Sequence, residues 1–184
     1  MRVAGIDPGK NGALALLSDS GAMSFFPLKD LYDDKGAARL SLNPEFTYNL
    51  LYSLQVEFGD ITLVCCEKPI FMGSGFTIQT SMSMFESYGV LKTCFHALSI
   101  AFYGVRPIEW IKHYPNLYHP KKKRDKAESV IEAKNLFPLY TDEFERVIER
   151  GKTKGSKKPL DGYAEAALIA KYGLDVLYKE DEHE

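Results

Sequence analysis

Four acidic residues stand where a chain would put carboxylates to work. Asp7 follows the apolar run Val3–Ile6 and enters the Pro8-Gly9 turn; Glu67 follows Ile61–Cys66 and precedes Lys68-Pro69. Each pattern reads as a buried strand ending in an acid and a sharp turn. Asp161 and Glu165 lie four apart in PLDGYAEAALIA, a spacing that projects both from one face of a helix start. If the strands carrying Asp7 and Glu67 are parallel neighbours, about 4.8 Å apart, their carboxylates converge. Like charges that close need a shared proton or a divalent cation between them. An all-oxygen donor set suits Mg2+ or Mn2+ rather than zinc. Four such ligands can hold two ions, the arrangement of two-metal phosphoryl transfer. Each acid also has a plainer explanation: Asp7 could cap its own turn, and Glu67 could pair with Lys68. Asp161 could be a helix N-cap, in a place where the dipole favours acids. Their joint arrival at strand ends and a helix start favours one shared site.

The elements that must position these acids can be read in order. Residues 1–7, 12–18 and 21–28 read as three strands with tight turns, an antiparallel meander. Asn43-Pro44 opens a helix to about Phe58, and Ile61–Cys66 is a buried strand. A loop at 71–75 leads to a long helix over about 78–98, then a strand over 99–105. Pro107 opens a short helix with Trp110 and Lys112. Residues 125–136 are helical until Phe137-Pro138 ends them; 142–149 reads as a short helix and 151–158 as flexible. A final amphipathic helix covers 161–177, and the acidic tail 179–184 reads as frayed. The order implies an α/β fold, a mixed sheet covered by helices on both faces, in one domain over 1–184.

With 45% hydrophobic and 26% charged residues, the 184-residue chain has an ordinary globular composition. No apolar run approaches the ~20 residues needed to span a bilayer, and the N-terminus lacks the layout of a secretion signal. Cys65, Cys66 and Cys94 show neither disulfide nor zinc spacing, which suggests a cytoplasmic protein. His96, His113, His119 and His183 have no metal spacing either; His113 and His119 could touch phosphate. The net charge of −2 hides an asymmetry: between Lys112 and Lys158 basic residues outnumber acids about two to one, while acids prevail elsewhere. Lys121, Lys122, Lys123, Arg124 and Lys126 form one basic run; Arg150, Lys152, Lys154, Lys157 and Lys158 form another. That distribution suits a protein that meets a phosphate backbone on one face. Solvated loops are the plain alternative.

GIDPG, the strand ending in Glu67-Lys68-Pro69, and DGYAEAALIA together resemble the RuvC-type Holliday junction resolvases of the RNase H-like superfamily. The phage-type and related viral members are the nearest in pattern. Arg106-Pro107 with Trp110 and Lys112, and Lys126 with Ala133 and Leu136-Phe137-Pro138, extend the match over most of the chain. The resemblance implies an RNase H-like mixed five-stranded sheet flanked by helices on both faces. It implies a crossover junction endodeoxyribonuclease making paired symmetric nicks in four-way DNA junctions, with Asp7, Glu67, Asp161 and Glu165 as catalytic metal ligands. Two Mg2+ ions per site are implied, with Mn2+ as substitute. A homodimer would form through helix 78–98, with Met82, Met84, Phe85, Val90, Leu91 and Phe95, although this could equally be an ordinary core helix. One lysine among Lys121, Lys122, Lys123 and Lys126 would neutralise the scissile phosphate. Lys112, Arg124, Lys157 and Lys158 would add DNA contacts, and the loop aromatics Phe71, Phe76 and Tyr118 could stack on opened bases. Bacterial RuvC proteins space the last two acids by three; here the gap is four and position 162 is glycine, which leaves Asp161 the least secure ligand. The expected setting is the cytoplasm of a bacterium or a phage-infected host cell. Competing readings are an endonuclease for branched DNA more broadly (Y-junctions, flaps), a non-catalytic junction-binding module, and an actin-like phosphotransferase. The last needs two lobes, and this chain supplies one.

Overall fold

Alternation within the first strands decides how the two faces of the sheet are filled. The computed structural model describes residues 1–9, 11–32, 41–59, 61–70, 77–120, 125–149 and 153–177. Within them β1 (Arg2–Ile6), β2 (Ala13–Ser18) and β3 (Met23–Pro27) form the antiparallel meander; β4 (Ile61–Glu67) and β5 (Ala101–Val105) follow. The order across the sheet is β3-β2-β1-β4-β5. β1 pairs antiparallel with β2 and parallel with β4, and β4 pairs parallel with β5. Parallel pairs need crossovers, and helices supply them. α1 (Pro44–Phe58) precedes β4, and α2 (Ile78–Ala97) joins β4 to β5. Asn43 starts α1 by accepting the Phe46 N–H at 3.1 Å, with Pro44 in the first turn where no N–H is needed.

Successive side chains of a strand point to opposite faces. Ala13, Ala15, Leu17 and Cys65 accordingly join one core with Trp110, Phe144 and Ile169. Leu14, Leu16, Val64 and Cys66 join the other, with Leu51, Leu54, Leu91 and Phe95 from α1 and α2. The first core is roofed by α3 (Pro107–His113), α4 (Lys126–Leu136) and α5 (Asp161–Tyr172). Small residues let α5 lie flat on the sheet: Ala164, Ala166, Ala167 and Ala170 are fully buried. The approach is so close that a Cβ at Gly5 of β1 would sit 2.2 Å from both the Ala166 carbonyl oxygen and the Ala170 nitrogen. Only glycine fits there. Among the described residues no helix is long and apolar enough to cross a membrane.

Three expectations need correction. Residues 142–149 are not a helix: a 3-10 helix covers Pro138–Phe144, and β6 (Glu145–Val147) follows. The second half of the region expected to be flexible contains β7 (Lys157–Pro159), which pairs antiparallel with β6. The helical signal of DEFERVIE is one of propensity only. Tertiary packing overrides it, because Phe144 is fully buried edge-on to Phe25 at 5.7 Å. The last helix also ends early, at Tyr172, and passes into a π turn over Gly173–Leu177.

Candidate active site

The turn after β1 is built around Asp7. Its Oδ1 accepts the Gly9 N–H at 3.0 Å, and the Asp7 N–H donates to the Ala13 carbonyl at 3.2 Å. The plainer role, capping its own turn, is therefore met through one carboxylate oxygen. Tyr32 steadies the same turn, its hydroxyl donating to the Pro8 carbonyl at 3.2 Å. Burial raises the pKa of this phenol, the Ser87 hydrogen bond opposes the rise, and the charge of Asp7 adds to it.

β1 and β4 run parallel with Ile6 opposite Cys66. Asp7 and Glu67 therefore leave adjacent strands at the same level, which meets the condition set by their sequence pattern. Both charges reach the Cys66 thiol beneath them. Burial chiefly, then Glu67 and Asp7, push that thiol well above its ordinary pKa. The indole Nε1–H of Trp110 donates to Glu67 Oε2 at 2.7 Å. Trp110 is fully buried on α3, so packing fixes the donor before any substrate arrives.

Asp161 is the first residue of α5, and the cap position belongs to Leu160. Asp161 is thus not the N-cap. Glu165, one turn on, is buried. Packed against α5, α4 presents partners at matching intervals. Lys126 Nζ donates to Asp161 Oδ2 at 2.5 Å, and Ser129 Oγ donates to Glu165 Oε1 at 3.3 Å. The glycine between the two acids has a direct cause. A Cβ at Gly162 would lie 2.3 Å from the Asn11 carbonyl oxygen and 2.7 Å from the Gly12 Cα. The start of α5 therefore butts against the Asp7 turn, which brings its acids to the end of β1.

The electrostatics agree with that placement. Partial burial pulls the Lys126 ammonium down, but the Asp161 hydrogen bond and the charges of Glu165, Asp161 and Asp7 outweigh it. Its pKa ends above the ordinary lysine value. One cation thus senses three of the four acids. Among the described residues no three Asp, Glu, His or Cys side chains are close enough to ligate one ion. Each acid is turned toward a donor of its own instead: Gly9, Trp110, Lys126 or Ser129. The donor set remains right for a hard divalent cation, all of it carboxylate oxygen.

Other residues singled out in the sequence are distributed as follows. Lys112 Nζ lies 5.2 Å above the Tyr118 ring. Lys157 pairs with Glu145 at 3.3 Å and Asp142 at 3.5 Å, while Lys158 is exposed on β7. His113 faces Asp175 at 3.4 Å and His119 faces Glu128 at 3.8 Å. Lys121, Lys122, Lys123, Arg124, Phe71 and Phe76 lie outside the described residues. In α2 the expectation divides: Leu91 and Phe95 are core, while Ile78, Met82 and Phe85 are exposed toward the start of the helix. Ser129 was missed by sequence reasoning, although it sits three residues after Lys126 on the same helical face. A cavity of about 620 Å³ lined by Leu17, Leu136, Phe137 and Tyr140 lies at the other end of the sheet.

The architecture has relatives among solved structures. RuvC of T. thermophilus in complex with a Holliday junction substrate is 12% identical and matches with a TM-score of 0.56, over 95% of this chain and 94% of that one. A second Thermus thermophilus RuvC structure is 16% identical, with a TM-score of 0.52 over 95% of each chain. Ydc2, the yeast mitochondrial Holliday junction resolvase, is 16% identical with a TM-score of 0.46, over 92% of this chain and 75% of that one. No protein-family model matches the sequence, and no curated protein matches it. The chain has the RuvC-type resolvase fold, an RNase H-like mixed five-stranded sheet between two layers of helices.

Proposed function

We propose that the protein is a metal-dependent, structure-specific endodeoxyribonuclease that resolves four-way DNA junctions by paired symmetric nicks. One observation carries the reading. Asp7 and Glu67 end adjacent parallel strands, and Gly162 brings Asp161 and Glu165 against the same turn. The fold is one shared with a RuvC whose structure holds a Holliday junction substrate. Asp7, Glu67, Asp161 and Glu165 are the ligands of two Mg2+ ions, replaceable by Mn2+. Bound there, such ions would lower the pKa of an attacking water and stabilise the departing oxygen.

Hydrolysis adds water across a P–O3′ bond: the water oxygen joins phosphorus and a proton ends on the 3′ oxygen. The chain's own part is to hold the acids aimed. Trp110 orients Glu67, Ser129 orients Glu165, and the Asp7 turn is fixed at both ends. Lys126 is the lysine that neutralises the scissile phosphate, released from Asp161 as the centre fills with cations and substrate. The remaining basic residues of the 112–158 region, apart from Lys134 and Lys157, which pair with Glu145, hold the backbone. The whole chain acts as one nuclease domain in the cytoplasm of a bacterial or phage-infected cell. It works as a homodimer through the exposed Ile78–Phe85 side of α2, so that two centres face opposing strands.

The test compares labelled four-way junction, Y-junction and linear duplex in Mg2+. Paired nicks at symmetric positions in the four-way junction alone are expected. Equal cutting of the Y-junction would replace this reading with a general branch endonuclease. Binding without cleavage in Mg2+ or Mn2+ would leave a junction-binding protein.

A further inference from the structure

We propose that the β6–β7 hairpin is a clamp for the phosphate backbone of one DNA arm, with Arg146 and Lys158 as its contacts and Lys157 as its anchor. The inference rests on the nuclease reading above and adds to it an element that the acidic centre does not require. Arg146 stands opposite Lys158 in the antiparallel register, so both side chains rise from one face of the hairpin. Cβ atoms of such a pair are about 5 Å apart, and like charges directly opposite one another are destabilising. Neither residue finds an acid within ion-pair reach among the described residues. A two-stranded hairpin is marginal in water to begin with. A cross-strand pair of cations is therefore a poor choice for folding and a good one for gripping an anion between them.

The opposite face is arranged to the contrary. Val147 stands opposite Lys157, and Glu145 opposite Pro159. There Lys157 reaches Glu145 at 3.3 Å, and Lys134 of α4 reaches the same carboxylate at 2.5 Å. The hydrogen bond from Lys134 chiefly holds the Glu145 carboxyl below its ordinary pKa; burial opposes it, and the Lys157 hydrogen bond and the two lysine charges reinforce it. Charge on the inner face is thus matched and ties the hairpin to α4. Charge on the outer face is single-signed and exposed. Segregation of this kind fits a polyanion on the outside and no other macromolecule as well.

Position supports the same occupant. The base of the hairpin is fixed to the start of α5 by the Leu160 N–H, which donates to the Phe144 carbonyl at 2.8 Å. Lys158 precedes Asp161 by three residues, so their Cα atoms are at most about 10 Å apart. Phosphates rise about 3.4 Å per nucleotide along one strand. The clamp therefore acts within about three nucleotides of the acids, on the arm that leads into the centre.

Full-length wild type, R146Q/K158Q and K157Q are titrated with a labelled four-way junction across a salt series, and their melting temperatures are measured. Two lost phosphate contacts should reduce the slope of log K against log salt by about 1.4 to 1.8. R146Q/K158Q should melt no lower than wild type, because a like-charge pair has been removed. K157Q should melt lower while keeping the wild-type slope. Equal slopes for wild type and R146Q/K158Q, with wild type binding and cutting the junction, would overturn the clamp and leave the nuclease reading intact. A slope lost equally in K157Q would overturn the division between contact and anchor. A wild-type chain that neither binds nor cuts junction DNA would instead overturn the reading on which the clamp rests.

Discussion

Glu67 takes its orientation from the Trp110 indole, at 2.7 Å from a side chain that packing has immobilised. A hydrogen bond to a charged group contributes about 1.5–3 kcal/mol. Trp110→Phe keeps most of the ring and loses the donor. It should lower the single-turnover cleavage rate by about 10- to 100-fold while the substrate concentration at half-saturation stays near that of wild type. A fall confined to binding would show that Trp110 is only core. Lys126 is a cation already lodged on Asp161. Lys126→Met should lower the Mn2+ concentration needed for half-maximal binding, measured by calorimetry, because the competing ammonium is gone; an unchanged or higher value would contradict that role. At this scale the placement of the acids was legible, because strand ends and an i, i+4 spacing are local signals. The pairing of Lys126 with Asp161 was not, since nothing within KKKRDK announces it until α4 packs on α5. Ser129 was invisible for the same reason: a serine within a helix shows its purpose only through the element it touches.

The strands and helices of the sheet were read with their ends displaced by a residue or two, apart from the last helix, because apolar runs, Pro at helix starts and Asn or Asp caps are written locally. The segment after Phe137 was misread. Glu143 to Glu149 has good helix formers, and the six residues that make the strand pairing are too few to show a period of two. Val147-Ile148, Gly155 and Pro159 were the available hints of a hairpin.

 The Gly155 φ is 85°, in the left-handed region that a tight turn there requires and that glycine adopts without strain. The element on which the centre most depends is the α5–β1 contact. Gly5→Ala would drive a Cβ to 2.2 Å from backbone atoms of α5, which neither partner can yield without moving a whole element. Overpacking of this kind costs about 3 kcal/mol or more, and the melting temperature should fall by about 6–12 °C. A fall of under about 2 °C would mean that α5 is not seated on β1 as described.

At the scale of the molecule, two cores on opposite faces of one sheet leave buried thiols that respond to pH. Burial pushes Cys65 up to about 12 from an ordinary 9.0, and Cys66 moves the same way. The folded chain keeps protons that the unfolded chain releases, so this contribution is complete below about pH 9 and is lost as pH rises toward about 12. Thermal melts over that range should show a steady loss of stability, and Cys65→Ala should make the loss shallower. An equally steep loss in the variant would contradict it. The mixed sheet and its two helical layers were legible from element order and pattern. The division of α2 into a core half and an exposed half was not, because Met82, Phe85, Leu91 and Phe95 are all apolar and only packing against the sheet separates them.

The most direct test of the central claim, that the four acids form a metal-dependent centre for cutting branched DNA, is cleavage of a four-way junction by wild type and Glu67→Gln, each with and without Mg2+. The account predicts paired nicks by wild type in Mg2+, none without it, and a loss of at least about 100-fold in Glu67→Gln, on the scale seen when one catalytic electrostatic partner is removed. Cleavage by Glu67→Gln at the wild-type rate, or by wild type in the absence of any divalent ion, would contradict it.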